Sequence, residues 1–284
     1  MEKETFIITG FADEIDPSFD VQLAALGTLG IHYIEPRVVD GKNITTLSDE
    51  EVAVMKEKLA KAGVKVSSIG SPLGKVKLTD DAAAHFEKFK RTVEIAKMLD
   101  CRYIRLFSFF AGDDEADGLT DEVVTRLADM VAYAEKEDVV LLHENEKGIY
   151  GNIARRCKVL FDRIPSDHFK AVFDFSNFVE CRQDTLVAYE LLKEHIAYVH
   201  IKDCVWDGDV APIGMGDGHA KEILTALAGT GYHGFVSLEP HLTKYTLPDE
   251  KTCGELAMRF EDGAPRKFAY AAKVLRDLIA AIGA

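Results

Sequence analysis

The sequence predicts an α/β fold, a single (β/α)8 (TIM) barrel with a C-terminal helix and a long loop after the eighth strand. Three observations predict it. Short runs rich in Val, Ile, Phe and Tyr alternate eight times with longer runs of helical periodicity. The 284 residues suit one large barrel. The sequence G-x-G-x-x-G, which after a first strand marks an open dinucleotide-binding sheet, is missing. Consecutive parallel strands need crossover helices, and a closed barrel leaves no sheet edge to protect. No linker or low-complexity stretch interrupts the pattern, so residues 1–284 read as one domain.

The elements follow in order. Phe6–Gly10 is the first strand. Asp16-Pro17 places an N-cap before proline and opens a helix over Pro17–Leu29, which Gly30 ends. Tyr33–Pro36 is the second strand. Ser48 and Glu51 form a capping box at the head of Ser48–Ala62, with Val52, Met55, Leu59 and Ala62 at helical spacing and Gly63 at its end. Val64–Ile69 then precedes the helix Asp80–Leu99, and Tyr103–Phe107 precedes Thr120–Lys136. Val139–Glu144 leads to Asn152–Arg163, Phe169–Asp174 to Thr185–His195, and Ala197–Lys202 to Ala220–Ala228. Phe235–Glu239 is the eighth strand and Pro265–Ile282 the last helix. Residues 240–264 form the long connection, a length common in lids and interface elements. Gly214-Met215-Gly216-Asp217-Gly218 reads as a flexible loop.

The net charge of −14 repels polyanions, which counts against DNA or RNA as a partner. The basic cluster Lys88-Phe89-Lys90-Arg91 lies on a helical pattern and reads as a solvated face. No apolar run approaches the length of a membrane span, and Met1-Glu2-Lys3-Glu4-Thr5 lacks the basic and apolar regions of a leader. Cytoplasmic localisation is the expectation. Five scattered cysteines form no C-x-x-C pair, so neither a structural zinc site nor a disulfide framework is indicated. The outer helices and the 240–264 segment offer surfaces for a homo-oligomer.

Four strand ends carry the chemistry: His143-Glu144-Asn145-Glu146, Phe173-Asp174, His200-Ile201-Lys202-Asp203 and Leu238-Glu239-Pro240-His241. In a barrel the C-terminal strand ends form the active face. Glu144, Asp174, His200 and Glu239 fall there on successive strands and can converge on one divalent metal. One imidazole with three carboxylates is an oxygen-rich set that suits Mn²⁺, Mg²⁺ or Co²⁺, with Zn²⁺ also able to bind. Three converging carboxylates repel without a cation. Beside them, Glu146 and Lys202 share the facing of Glu144 and His200, the one to hold a hydroxyl, the other to stabilise oxyanion charge. His143 should point the other way, into the packing between strand and helix. Arg105, Trp206 and His241 are candidates for substrate contact.

The chain resembles the xylose isomerase-like barrel superfamily, in the group of sugar phosphate isomerases and epimerases. The resemblance rests on Gly10-Phe11-Ala12-Asp13-Glu14-Ile15, Tyr33-Ile34-Glu35-Pro36-Arg37, Glu144-Asn145, His200-Ile201-Lys202-Asp203 and Leu238-Glu239-Pro240, and extends over essentially the whole chain. It implies that Glu144, Asp174, His200 and Glu239 are the metal ligands. It also implies that Glu144 and Glu239 are an acid/base pair, one removing the proton beside a carbonyl and the other returning it on the opposite face. Two positions depart from the group. Asn177 stands where many relatives carry a second histidine, and can only hydrogen-bond a hydroxyl. Trp206 stands where the ketose epimerases have an arginine.

The expected function is a divalent-metal-dependent sugar or sugar-phosphate isomerase or epimerase acting through a metal-stabilised enediolate. Its partner is a small sugar or sugar derivative, not nucleic acid or membrane. Two alternatives stand beside it. One is a metal-dependent lyase or dehydratase on keto-sugars, including 3-keto-glycoside cleavage, for which Trp206 and the aromatic run Phe107–Phe110 would hold a bulky aglycone. The other is a non-catalytic accessory subunit.

Overall fold

The computed structural model describes residues 5–284; residues 1–4, on which the leader expectation rests, lie outside the described residues. Eight strands run in parallel around a common axis: β1 (Phe6–Gly10), β2 (Tyr33–Ile34), β3 (Lys65–Val66), β4 (Tyr103–Leu106), β5 (Val140–Glu144), β6 (Phe169–Asp174), β7 (Ile196–Ile201) and β8 (Gly234–Leu238). Helices α1 (Phe19–Thr28), α2 (Asp49–Ala62), α3 (Ala82–Met98), α4 (Thr120–Glu137), α5 (Ala154–Arg163), α6 (Thr185–Leu192), α7 (Ala220–Gly229) and α8 (Ala264–Ile282) follow them in turn. The fold is the (β/α)8 barrel that the alternation predicts.

Closure of the ring is uneven. Six strands form one continuous sheet in the order β1-β8-β7-β6-β5-β4, and β2 and β3 pair with each other beside it. On one side Ile69 bridges Ile104, its N–H donating to Tyr103 O at 2.9 Å and its carbonyl accepting from Arg105 N at 3.0 Å. On the other, Glu35 N donates to Gly10 O at 3.0 Å. The paired parts of β2 and β3 are shorter than the alternation predicts. Pro36 has no N–H to continue a ladder, although its carbonyl still accepts from Gly70 N at 3.0 Å.

The period of two along each strand sorts side chains between two cores. Val140, Leu142, Val172 and Tyr198 pack with Tyr103 and Phe235 inside the barrel. Leu141, Phe173 and Val199 join the larger core between strands and helices, with Phe19, Phe89, Leu127 and Phe161. The inward file of β5 therefore ends at Glu144, that of β6 at Asp174, and that of β7 continues from Tyr198 to His200. His143 faces outward as expected, with its ring edge-on to Phe161 and Phe169.

The caps show where local sequence decided the boundaries. At α2 the capping box forms: Glu51 N donates to Ser48 Oγ at 3.3 Å and Ser48 N to Glu51 Oε2 at 2.9 Å. At α1 the expected start is displaced. Asp16 Oδ1 accepts from Ser18 N at 2.8 Å in a local turn, and the helix begins at Phe19. Residues 240–264 are not a plain loop. They hold short helical turns at Leu242–Lys244, Glu250–Cys253 and Glu255–Met258, and buried Leu242, Cys253 and Ala257 join the core. Such short turns leave no periodic signal. No helix among the described residues is long and apolar enough to cross a membrane.

The Gly-rich loop is tethered, not free. Asp203 closes a small hairpin, Asp203–Cys204 with Val210–Ala211, and its buried carboxylate accepts backbone N–H groups from Gly214 (2.9 Å), Gly216 (3.1 Å) and Gly218 (3.0 Å). A Cβ at Gly216 or Gly218 would lie 2.5 or 2.6 Å from Asp203 Oδ1, so only glycine lets the backbone come this close.

Candidate metal centre

Glu144, Asp174, His200 and Glu239 meet at the C-terminal mouth of the barrel. Each offers one ligand atom, and these atoms all lie within 4.8 Å of one another. All four side chains are buried. His200 Nδ1 lies 3.0 Å from Glu144 Oε1 and 3.6 Å from Glu239 Oε2, so Nδ1 is the nitrogen that faces the cluster. Its Nε2 faces Glu35 Oε2 at 3.3 Å.

Each carboxylate is oriented by groups outside the cluster. Asp174 caps the short helix Phe175–Glu180 by accepting from Asn177 N at 2.7 Å, which fixes Oδ1 and leaves Oδ2 for the centre. Arg105 Nη1 holds Glu144 Oε2 at 3.1 Å, and Arg37 Nη1 holds Glu239 Oε1 at 2.9 Å. Lys202 Nζ lies 3.3 Å from Asp174 Oδ2 and 3.9 Å from Glu239 Oε2, and donates to Asn177 Oδ1 at 2.9 Å. Asn177 Nδ2 reaches Glu144 Oε1 at 3.2 Å and Asn145 O at 2.8 Å.

The electrostatics follow from this crowding. Burial opposes ionisation of Glu144, but His200 and then Arg105 outweigh it and hold the carboxyl down at about 2. Burial pushes Asp174 up to about 7, with Lys202 pulling the other way. Burial would lower His200, yet the charges of Glu144 and Glu35 push it up to about 10. Asp174 Oδ2 and Glu239 Oε2 are buried with no formed hydrogen bond, with only the ion-pair contact to Lys202 Nζ at 3.3 and 3.9 Å, so a cation can still bind them. Donor type, convergence and these orphaned oxygens all fit one divalent metal ion.

The structure places the remaining sequence candidates as follows. Lys202 and Asn177 border the cluster. Arg105 is buried, and its donors meet Glu144, Ser71 O and Gly70 O, so they engage protein groups and not open space. Glu146 pairs with Lys75 Nζ at 3.0 Å. His241 Nε2 lies 3.2 Å from both Glu239 Oε1 and Glu14 Oε1. No hydrogen bond or ring contact among the described residues joins Trp206 to the cluster; it stands in the turn of the Asp203–Ala211 hairpin, its backbone N–H donating to Asp217 Oδ2 at 2.7 Å. Lys202 pairs with Asp174 and Glu239 and not with Asp203, whose carboxylate is taken by the Gly-rich loop.

Other residues shape the site beside these, Glu35 and Arg37 at the end of the second strand among them. Glu35 is fully buried behind His200, where Ser237 Oγ donates to Glu35 Oε2 at 2.6 Å. Asp13 holds Arg37 Nε at 2.9 Å, and Phe11 lies under both Arg37 and Arg105. Lys75 sits over the Phe107 ring, 4.2 Å from its centroid. An ionisable residue ending an apolar strand was the available signal for Glu35. Nothing local marks Lys75.

The family model described as xylose isomerase-like TIM barrel matches residues 23–262. No curated protein sequence matches the chain. Solved structures with the same fold include a D-tagatose 3-epimerase-like protein, with a TM-score of 0.76 and 14% identity over 98% of each chain. Another is the probable 3-DHS dehydratase AsbF of Bacillus anthracis, with a TM-score of 0.75 and 16% identity over 96% of this chain and 99% of that one. A third is a xylose isomerase-like TIM barrel protein from Mycobacterium smegmatis in complex with magnesium, with a TM-score of 0.69 and 16% identity over 93% of this chain and 89% of that one. At such identities the likeness is one of fold, while the family match spans most of the sequence: the chain belongs to the xylose isomerase-like TIM barrel family.

Proposed function

We propose that Glu144, Asp174, His200 and Glu239 bind one divalent cation, Mn²⁺, Mg²⁺ or Co²⁺ in preference to Zn²⁺, and that the protein is a sugar or sugar-phosphate isomerase or epimerase. The observation that carries this reading is the pair of orphaned carboxylate oxygens, Asp174 Oδ2 and Glu239 Oε2, converging with His200 Nδ1 and Glu144 at the barrel mouth. When bound, the cation would polarise a substrate carbonyl and stabilise the charge of an enediolate.

The chain's own residues supply the proton transfers. Glu144 and Glu239 approach from strands five and eight and both reach His200 Nδ1, at 3.0 and 3.6 Å. One takes the proton beside the carbonyl and the other returns it. Arg105 and Arg37 aim the two glutamates; His200 and then Arg105 keep Glu144 ionised, and Lys202 does most to keep Glu239 so. Lys202, whose ammonium is buried among these carboxylates, offers a donor to a developing oxyanion. Burial of the whole cluster excludes the water that would quench the intermediate.

Elimination is the second reading. It begins with the same proton abstraction and ends with loss of a β-substituent, and the similarity to a probable dehydratase supports it.

The test is elemental analysis of protein purified without a metal-affinity column, with thermal melts with and without EDTA, repeated on Glu239→Ala. Near-stoichiometric metal that is lost in the variant is the expected result. It would justify assaying keto-sugars for isomerisation and elimination. No bound metal, no EDTA effect and no response to added Mn²⁺ would sink the proposal and favour a binding role.

A further inference from the structure

A surface cavity of about 660 Å³ lies on the mouth side, lined by Glu14, Gly208, Asp209, Val210, His241 and residues 243–246, and separated from the cluster by Glu14 and His241. Glu14 and His241 form the end nearest the cluster, since His241 Nε2 reaches Glu239 Oε1 at 3.2 Å. The hairpin Asp203–Cys204 with Val210–Ala211 makes one wall, and the turn Leu242–Lys244 with Tyr245 makes the other.

Three features describe what fits there. The first is size. Clefts of roughly 300–1,000 Å³ suit ligands larger than one sugar ring, and a lone pyranose at the cluster would leave this cavity unused. The second is chemistry. Among the described residues, no side-chain hydrogen bond or ion pair engages Asp209, Thr243, Lys244 or Thr246, so hydroxyl, carboxylate and ammonium groups stand free around one space. Tyr245 adds an aromatic wall, its ring stacked on Tyr270 with centroids 6.4 Å apart. Free polar groups beside an aromatic face suit a ring that has hydroxyls at its edge and C–H groups on its face. The third is charge. Glu14 and Asp209 offset Lys244 and His241, which does not favour an anion such as a phosphate.

We propose that this cavity is a subsite for a second, uncharged polyhydroxylated ring. The ligand is then an extended saccharide or glycoside, with one end at the carboxylate cluster and the other between residues 208–210 and 243–246. Which end reacts rests on the metal-centre reading; the subsite itself does not.

Trp206, the only tryptophan of the chain, lies in the hairpin that forms one wall and reports on it directly. The experiment is a fluorescence titration with glucose and with maltose, cellobiose and trehalose. It is repeated on Thr243→Phe, which fills the cavity from an exposed position, and on Tyr245→Ala, with Mn²⁺-induced thermal shifts in parallel. At least one disaccharide should bind roughly tenfold more tightly than glucose, and both variants should abolish that difference. Equal binding of glucose and all three disaccharides, no response to any sugar, or a preference that survives Thr243→Phe would each overturn the subsite. A disaccharide response without any Mn²⁺ shift would keep the subsite and remove the metal centre. A Mn²⁺ shift without a sugar response would do the reverse.

Discussion

Glu35 Oε2 lies 3.3 Å from His200 Nε2, on the far side of the imidazole from Glu144 Oε1, which lies 3.0 Å from Nδ1. The ring is thus gripped between two carboxylates, and Glu35 sets which nitrogen faces the cluster. An outer carboxylate of this kind fixes the tautomer of a ligating histidine and raises its basicity. In Glu35→Gln the shape is kept and the charge removed. Mn²⁺ affinity is expected to fall 10–100-fold. Calorimetric titration of the two proteins checks this, and equal affinities would show that Glu35 only fills space.

Lys202 is the cation beside Asp174 Oδ2, with its side chain almost fully buried. Removing one partner of a buried pair leaves the other uncompensated, at a cost of about 3–5 kcal/mol. Lys202→Met should lose stability of that order in metal-free protein. Added Mn²⁺ should restore part of it, because the metal supplies the missing charge. Urea unfolding with and without Mn²⁺ measures both. A loss under about 1 kcal/mol would mean that Asp174 accepts a proton at little cost.

Asp203 and the Gly-rich loop form a unit that can be broken from either side. Gly216→Ala pushes a methyl group into Asp203 Oδ1, and Asp203→Ala leaves the N–H groups of Gly214, Gly216 and Gly218 without their acceptor. Each should cost about 1–3 kcal/mol. The double variant should cost less than the sum of the two, since the clash with Asp203 is removed only once while the 2.5 Å approach to Cys204 O remains. Additive losses in denaturant unfolding would contradict this.

His143 gives the fold a pH dependence of its own. Burial holds its imidazole down at about 4, and both ring nitrogens are buried without hydrogen-bond partners. The unfolded chain protonates the same group near 6.5. Above that pH both states are neutral and nothing is lost. As pH falls from about 6.5 to 4 the unfolded state takes up a proton that the fold refuses, so stability drops, by up to about 3 kcal/mol. His143→Leu should therefore lose less melting temperature between pH 7.5 and 5 than the parent. Parallel declines would show that His143 does not titrate.

The barrel was legible because its signals are local. Strands of four to six residues, such as β5 and β6, end in Glu144 and Asp174, and alternation alone gives their facing. The pairings that tune the site were not legible. Arg37 meets Glu239 across 202 residues of sequence, and Lys75 meets Glu146 across 71; no spacing rule reaches that far. The Gly-rich loop was misread as flexible because its anchor, Asp203, lies eleven residues before Gly214. The α1 start was misplaced for the opposite reason, a competition within three residues in which Asp16 chose a turn over a cap.

At the seam between β1 and β2 the continuous ladder of the barrel gives way to single hydrogen bonds. The strand ends that carry Glu144, Asp174, His200 and Glu239 belong to the continuous arc from β5 to β8, where every strand is laddered to its neighbours. Glu14, Glu35 and Arg37 lie beside the seam, which Glu35 N and Gly10 O help to close. Backbone amides of residues 33–39 should exchange with deuterium faster than those of 140–144 or 196–201. The arrangement works like a vice with one fixed and one sprung jaw. Glu144, Asp174, His200 and Glu239 would keep their spacing, while Glu14 and Arg37 beside the seam would give way.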